Sequence, residues 1–150
     1  MDSSAEGFAL VMDVSCHSFS RMARIAAPPM TSGGCLLTLS FEGANRVVPD
    51  YGLMEPVKAA LKTAMRYIAA KIEVLDIRAH AISPRPIKSR AARGIAHFDA
   101  KLARAAAATP GTHETKADVV GALATLLVGD GARSMTGSVI VVDNGRRMMA

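Results

Sequence analysis

Three short apolar runs, at 35–40, 77–82 and 138–142, are separated by stretches long and periodic enough to be helices, and that spacing decides the fold class. Strands joined by a few residues can fold back as a hairpin. Strands joined by a helix lie side by side in parallel, with right-handed crossovers. The chain is therefore expected to be an α/β protein.

The connecting segments carry helical signals of their own. Ser3 and Glu6 have capping-box spacing, and Phe8, Met12, Phe19 and Met22 recur at helical intervals, predicting a helix from about 6 to 27 that Pro28-Pro29 ends. Gly33-Gly34 reads as a turn before the first strand. A second helix is predicted from Tyr51 to about 74, with Leu61, Met65, Ile68 and Ile72 as its apolar stripe. The Ala-rich stretch from Asp99 to Ala108 has high helix propensity, and another helix runs from the neighbourhood of Thr115 to about Val128. Val119, Leu123, Leu126 and Leu127 of that helix should face inward, Gly129-Asp130-Gly131 stops it, and Ser138 to Val142 reads as a last, fully buried strand.

Half of the 150 residues are hydrophobic but only 4% are aromatic and none is Trp, so the core must be built from Ala, Val, Leu, Ile and Met. With no basic start to a signal peptide and no apolar run of spanning length, no membrane association is expected and a cytoplasmic location is. Cys16 and Cys35 lack metal-ligand spacing and read as buried or incidental thiols. His17, His80, His97 and His113 form no ligand pattern either, so no metal site is expected.

Tyr51 and Lys58 stand seven residues apart in Pro49-Asp50-Tyr51-Gly52-Leu53-Met54-Glu55-Pro56-Val57-Lys58. On a continuous helix a seven-residue step returns to nearly the same face roughly 10 Å further along. A nearby ammonium lowers the pKa of a phenol, which is useful chemistry beside a carbonyl. By itself the spacing is also compatible with a structural Tyr and a solvated Lys.

The succession of motifs resembles the enoyl-acyl-carrier-protein reductases, a branch of the short-chain dehydrogenase/reductase family. The matching pieces are Leu36-Leu37-Thr38-Leu39-Ser40, Val48-Pro49-Asp50-Tyr51-Gly52-Leu53-Met54, Lys58-Ala59-Ala60-Leu61, Ala81-Ile82-Ser83, Pro86-Ile87-Lys88-Ser89, Ala91-Ala92-Arg93-Gly94-Ile95, Thr136-Gly137-Ser138-Val139 and Val142-Asp143-Asn144-Gly145. The resemblance implies a partial doubly wound Rossmann-like parallel sheet of about three strands with flanking helices, residues 1–150 forming a single truncated domain that holds the catalytic and substrate-loop half. No glycine-rich turn after a strand is present to receive a dinucleotide pyrophosphate, so the family's N-terminal half is expected to be missing.

The resemblance also assigns roles. Tyr51 and Lys58 would be catalytic, Tyr51 donating a hydrogen bond to the carbonyl of a trans-2-enoyl thioester and Lys58 holding the nicotinamide ribose. NADH would be the cofactor, bound by Ser40, Lys58, Ile87 and Ser89. Phe41, Tyr51, Met54, Ala91, Ala92, Ile95 and Phe98 would bind the acyl chain, presented as a thioester of acyl carrier protein. An open sheet edge implies a homo-oligomer or a complementing chain. The alternative is an inactive reductase fragment acting as a binding or oligomerisation module.

Four departures from the family pattern bear on these roles. Pro56 lies between Tyr51 and Lys58; a continuous helix through it would strand the Gly52 carbonyl and bend the pair apart, whereas a helix beginning at Pro56 would keep the fold and lose the alignment. Arg85 stands where small residues and glycine are usual, and Pro86 after it restricts it to extended backbone, which weighs against an intact nicotinamide site. His80 replaces an asparagine, and Asn144 interrupts an Asp-Gly-Gly ending. The net charge is +5, and Arg78, Arg85, Lys88, Arg90 and Arg93 follow one another with no acid between Asp76 and Asp99. With no stacking aromatics or recognition motif, that run predicts a solvated basic loop or a surface for an acidic carrier protein, and no nucleic acid partner.

Overall fold

The protein was analysed as a computed structural model describing residues 3–45, 47–49, 51–89, 97–111 and 115–149. Its strands, β1 (Gly34–Leu39), β2 (Ile77–Pro84) and β3 (Val139–Val142), form one parallel sheet in the order β1-β2-β3. Gly34 lies opposite Ile77 and Leu39 opposite Ile82; on the other side Ala81 lies opposite Val139 and Pro84 opposite Val142. The central strand β2 is buried at every position. β3, expected to be fully buried, is only half-buried because it is an edge with one neighbour.

Side chains alternate between the sheet's two faces as the pleat requires. Ile77, Ala79 and Ala81 of β2, with Leu36 of β1, join the core formed by α3 (Met54–Ile72), where Leu61, Met65, Ala69 and Ile72 supply the buried stripe. Ile82, with Leu37, Ile140 and Val142, packs on the opposite face under α5 (Ala117–Val128), whose Leu127 is buried and Leu123 half-buried. Val119 and Leu126 do not face inward as expected: they are exposed, because α5 covers a narrow sheet with one helical stripe and leaves its flanks uncovered.

The first helical segment is continuous but not uniform. It runs as α1 (Ala5–Met12), a π-helical turn (Asp13–His17) and α2 (Ser18–Ala26). Its N-cap is Ser4, not Ser3, the Ser4 hydroxyl accepting the Gly7 N–H at 3.0 Å. The wide turn shifts the helical phase. The buried face therefore runs through Cys16, Phe19, Ala23 and Ala27, while Phe8 and Met22 of the expected stripe are exposed.

Gly33 and Gly34 form the expected turn at φ +74° and +154°. A Cβ on Gly33 would sit 2.6 Å from the Asp76 carbonyl oxygen, and the Gly34 N–H donates to that same oxygen at 3.1 Å. Glycine is thus needed where the entrance to β1 is fastened against the entrance to β2.

Arg78 locks the other face. Its guanidinium is buried and donates to the carbonyls of Leu127, Val128 and Ala132, with Gly129 at the edge of reach. The last carbonyls of α5, which have no partner within the helix, are thereby satisfied by a cation at the negative end of the helix dipole.

Candidate active site

α3 begins at Met54, so Tyr51 is not on the helix as expected but in the turn before it. The Tyr51 N–H donates to the Val48 carbonyl at 3.2 Å, Gly52 takes φ +55°, and the Tyr51 carbonyl accepts the Met54 N–H at 3.3 Å. Pro56 is the third helical residue, where no N–H is required. The Gly52 carbonyl takes the Glu55 N–H at 3.2 Å, so the proline strands no acceptor. Both expected consequences of Pro56 are thus replaced: the helix starts before it and stays regular, and Tyr51 and Lys58 are related by a turn followed by a helix.

β1 is extended by one residue when the Ser40 N–H donates to the Ile82 carbonyl at 2.8 Å. Ser40 is buried, and its hydroxyl has no hydrogen-bond partner. Phe41 follows and stacks obliquely on Tyr51, ring centroids 4.7 Å apart and planes at 52°. The loop is pinned from outside by an ion pair between Glu42 and Arg146, both 12% exposed, and from inside by Glu55, whose Oε1 accepts the Val48 N–H at 2.6 Å.

Lys58 reaches back from α3 to donate to the Leu39 carbonyl at 2.9 Å, and burial pulls its pKa below the ordinary lysine value. It does not lower the pKa of Tyr51, as the spacing had suggested. Burial, with the Glu55 carboxylate adding to it, pushes that phenol up to about 12.

A cavity of about 730 Å³ opens beside these residues, lined by Lys58, Ile87, Thr38 and Leu39, by Ser15 and Ser18 from the first helical segment, and by α5 through Ala117 and Gly121. Two of the residues expected from sequence, Lys58 and Ile87, thus meet at one cavity. Tyr51 and Phe41 pack together outside its lining, Met54 is half-buried at the start of α3, and Phe98 is half-buried at the start of α4 (Phe98–Ala107). Ser89 is exposed two residues beyond Ile87. Ala91, Ala92 and Ile95 lie outside the described residues. Ser15, Ser18 and Thr38 carry no motif that would have marked them beforehand.

The departures take definite structural form. Arg85 follows the end of β2, and its N–H donates to the Val142 carbonyl at 2.9 Å, one more bond between β2's continuation and β3. Asn144 occupies the left-handed region at φ +54°, a conformation asparagine tolerates in place of glycine, while Asp143 accepts the N–H groups of Gly145 and Arg147 at 3.0 and 2.8 Å. His80 is fully buried, neither ring nitrogen hydrogen-bonded, and burial lowers its pKa against a weaker opposing effect of the Met135 and Ser138 backbone. The basic run does not form the expected solvated loop throughout: Arg78 and Arg85 are buried, Lys88 is exposed, and Arg90 and Arg93 lie outside the described residues. Among the described residues no helix is long and apolar enough to cross a membrane.

A family model described as enoyl-(acyl carrier protein) reductase matches residues 1–147. Among curated relatives, enoyl-acyl-carrier-protein reductase (NADH) 2 of Rhizobium meliloti is 38% identical over 144 residues, covering 96% of this chain and 54% of the relative. Enoyl-acyl-carrier-protein reductase (NADH) FabI of Aquifex aeolicus is 38% identical over 150 residues, covering 99% and 56%. The chain thus spans a little over half the length of these relatives. Among solved structures, the Bacillus cereus enoyl-acyl carrier protein reductase with NADP+ and indole naphthyridinone superposes with a TM-score of 0.95 at 36% identity, covering 99% of this chain and 58% of that one.

Proposed function

The chain belongs to the enoyl-(acyl carrier protein) reductase family, and from that premise we propose that residues 1–150 act as one unit carrying the carbonyl-facing half of an NADH-dependent enoyl-acyl-carrier-protein reductase of fatty acid biosynthesis. The observation that carries this reading is the Tyr51 phenol, half-buried against Phe41 in a pinned turn, its pKa pushed up to about 12. A phenol in that state is a hydrogen-bond donor across the physiological range and not a base. It suits the carbonyl oxygen of an enoyl thioester, where negative charge grows as the β-carbon is reduced.

Lys58 and Ile87 share one cavity, and the nearby Ser40 hydroxyl is buried without a partner, which fits the nicotinamide end of a dinucleotide. In this reading Ser40, Lys58, Ile87 and Ser89 hold NADH, which when bound supplies a hydride to the β-carbon. Lys58, already hydrogen-bonded to the Leu39 carbonyl, holds the ribose, and Ile87 meets the carboxamide through its backbone. Phe41, Met54, Ala91, Ala92, Ile95 and Phe98 surround the acyl chain of the acyl-carrier-protein thioester. A cytoplasmic location accompanies this role.

NADH oxidation with a crotonyl thioester is the test. Tyr51→Phe should lower the rate at least tenfold, and equal rates in parent and variant would remove Tyr51 from the mechanism.

A second reading is favoured by one feature, the free outer edge of β1, where Leu39 is 52% exposed. The chain then acts as a binding or oligomerisation module, a second copy or a complementing chain covering that edge. Absence of turnover in the parent, with self-association seen by light scattering, would select this reading over the first.

A further inference from the structure

A second cavity, of about 590 Å³, is lined by the segment after β2, by α4, and by Thr109, Gly111 and Thr115. Tyr51, Phe41, Lys58 and Ser40 are not among its lining residues. Arg85 is. That side chain is only 6% exposed, its Nε has no hydrogen-bond partner, and no ion pair to another described residue holds its guanidinium. Thr115 lines the same cavity, 5% exposed, and its hydroxyl is likewise unpartnered. Burying the Arg85 Nε–H and a hydroxyl without partners is costly, and an arginine so placed is compensated when an anion fills the space before it.

We propose that this cavity binds a phosphate monoester, with Arg85 and Thr115 on the phosphoryl oxygens. Arginine offers a planar fork of N–H donors that matches phosphate geometry, Thr115 adds a hydroxyl donor, and the exposed Lys88 adds positive charge to the lining. The lining also includes the apolar Ile87, which borders the first cavity too, with Leu102 and Ala106, and these accommodate an organic group attached to the phosphate. Asp99 also lines the cavity but is exposed, so its charge is screened by water and opposes the anion only weakly. The family resemblance assigns no role to Arg85 or Thr115.

The test is a titration of phenyl phosphate into the full chain at constant ionic strength, followed by calorimetry, with neither NADH nor thioester present, so that the result is independent of the reductase reading. Saturable binding is expected, at least tenfold weaker in Arg85→Met and several-fold weaker in Thr115→Val. Inorganic phosphate and benzoate should each bind several-fold more weakly than phenyl phosphate. Thermal unfolding of each variant shows that it is folded at the titration temperature, and Thr115→Val, a substitution of equal size, carries the test if Arg85→Met is not. No saturable binding in the parent, undiminished binding by the folded variants, or equal affinity for phenyl phosphate, inorganic phosphate and benzoate would each overturn the proposal.

Discussion

Arg78→Met keeps most of the aliphatic stem and removes every donor that closes the end of α5. Four carbonyls face the guanidinium, those of Leu127, Val128 and Ala132 within 3.1 Å and that of Gly129 at 3.5 Å. Val128 is half-exposed, and its carbonyl regains water when the arginine is gone. Leu127 and Ala132 are 1% and 2% exposed, so their carbonyls stay dry. A buried acceptor left without a donor costs about 1–3 kcal/mol, and only the Leu127 carbonyl is so left, since the Ala132 carbonyl keeps the Met135 N–H at 2.9 Å. Loss of a cation at the helix C-terminus adds about 0.5 kcal/mol, and relief of the buried charge's own desolvation offsets a similar amount. A net loss near 2 kcal/mol lowers Tm by about 4–8 °C in a chain of this size. Urea unfolding followed by circular dichroism gives the free energy and its m-value. A loss below about 1 kcal/mol with an unchanged m-value would refute the reasoning, since it would mean that the carbonyls find water or that the arginine's desolvation cancels its bonds.

Pro56→Ala should change stability by less than about 1 kcal/mol, because the proline sits in the first turn of α3 and strands no acceptor; thermal unfolding showing a gain near 3 kcal/mol would place it in a helix interior instead. His80 has a pKa below the ordinary 6.5 in the folded chain, so the unfolded chain binds the extra proton first, and stability should fall as pH drops below about 6.5, by at most about 1.4 kcal/mol per pH unit. His80→Asn should flatten that part of the stability profile, and an unchanged slope in denaturant titrations from pH 7 to 5 would assign it to other groups.

Legibility followed the range of the interactions involved. The α/β alternation, the Gly33-Gly34 turn and the α3 stripe could be read because each depends on residues close in sequence. The spacing of Tyr51 to Lys58 looks helical in sequence, but Gly52 at positive φ and Pro56 in the first helical turn set the helix boundary between them. The first helix was placed correctly, but its buried face was not, since nothing local announces the π-helical turn. Val119 and Leu126 look as apolar as Leu127, and only the width of the sheet beneath α5 decides which of them is covered. Arg78 and Arg85 read as surface charge because their partners or surroundings lie far along the chain.

The outer edge of β1 has a consequence in mass action. A partner that added a strand there would bind the folded chain and not the unfolded one, so folding stability would become a function of partner concentration. At one hundred times the dissociation constant the gain would be about 2.7 kcal/mol, at least as large as the contribution of Arg78. The chain's melting temperature would then rise with the concentration of that partner.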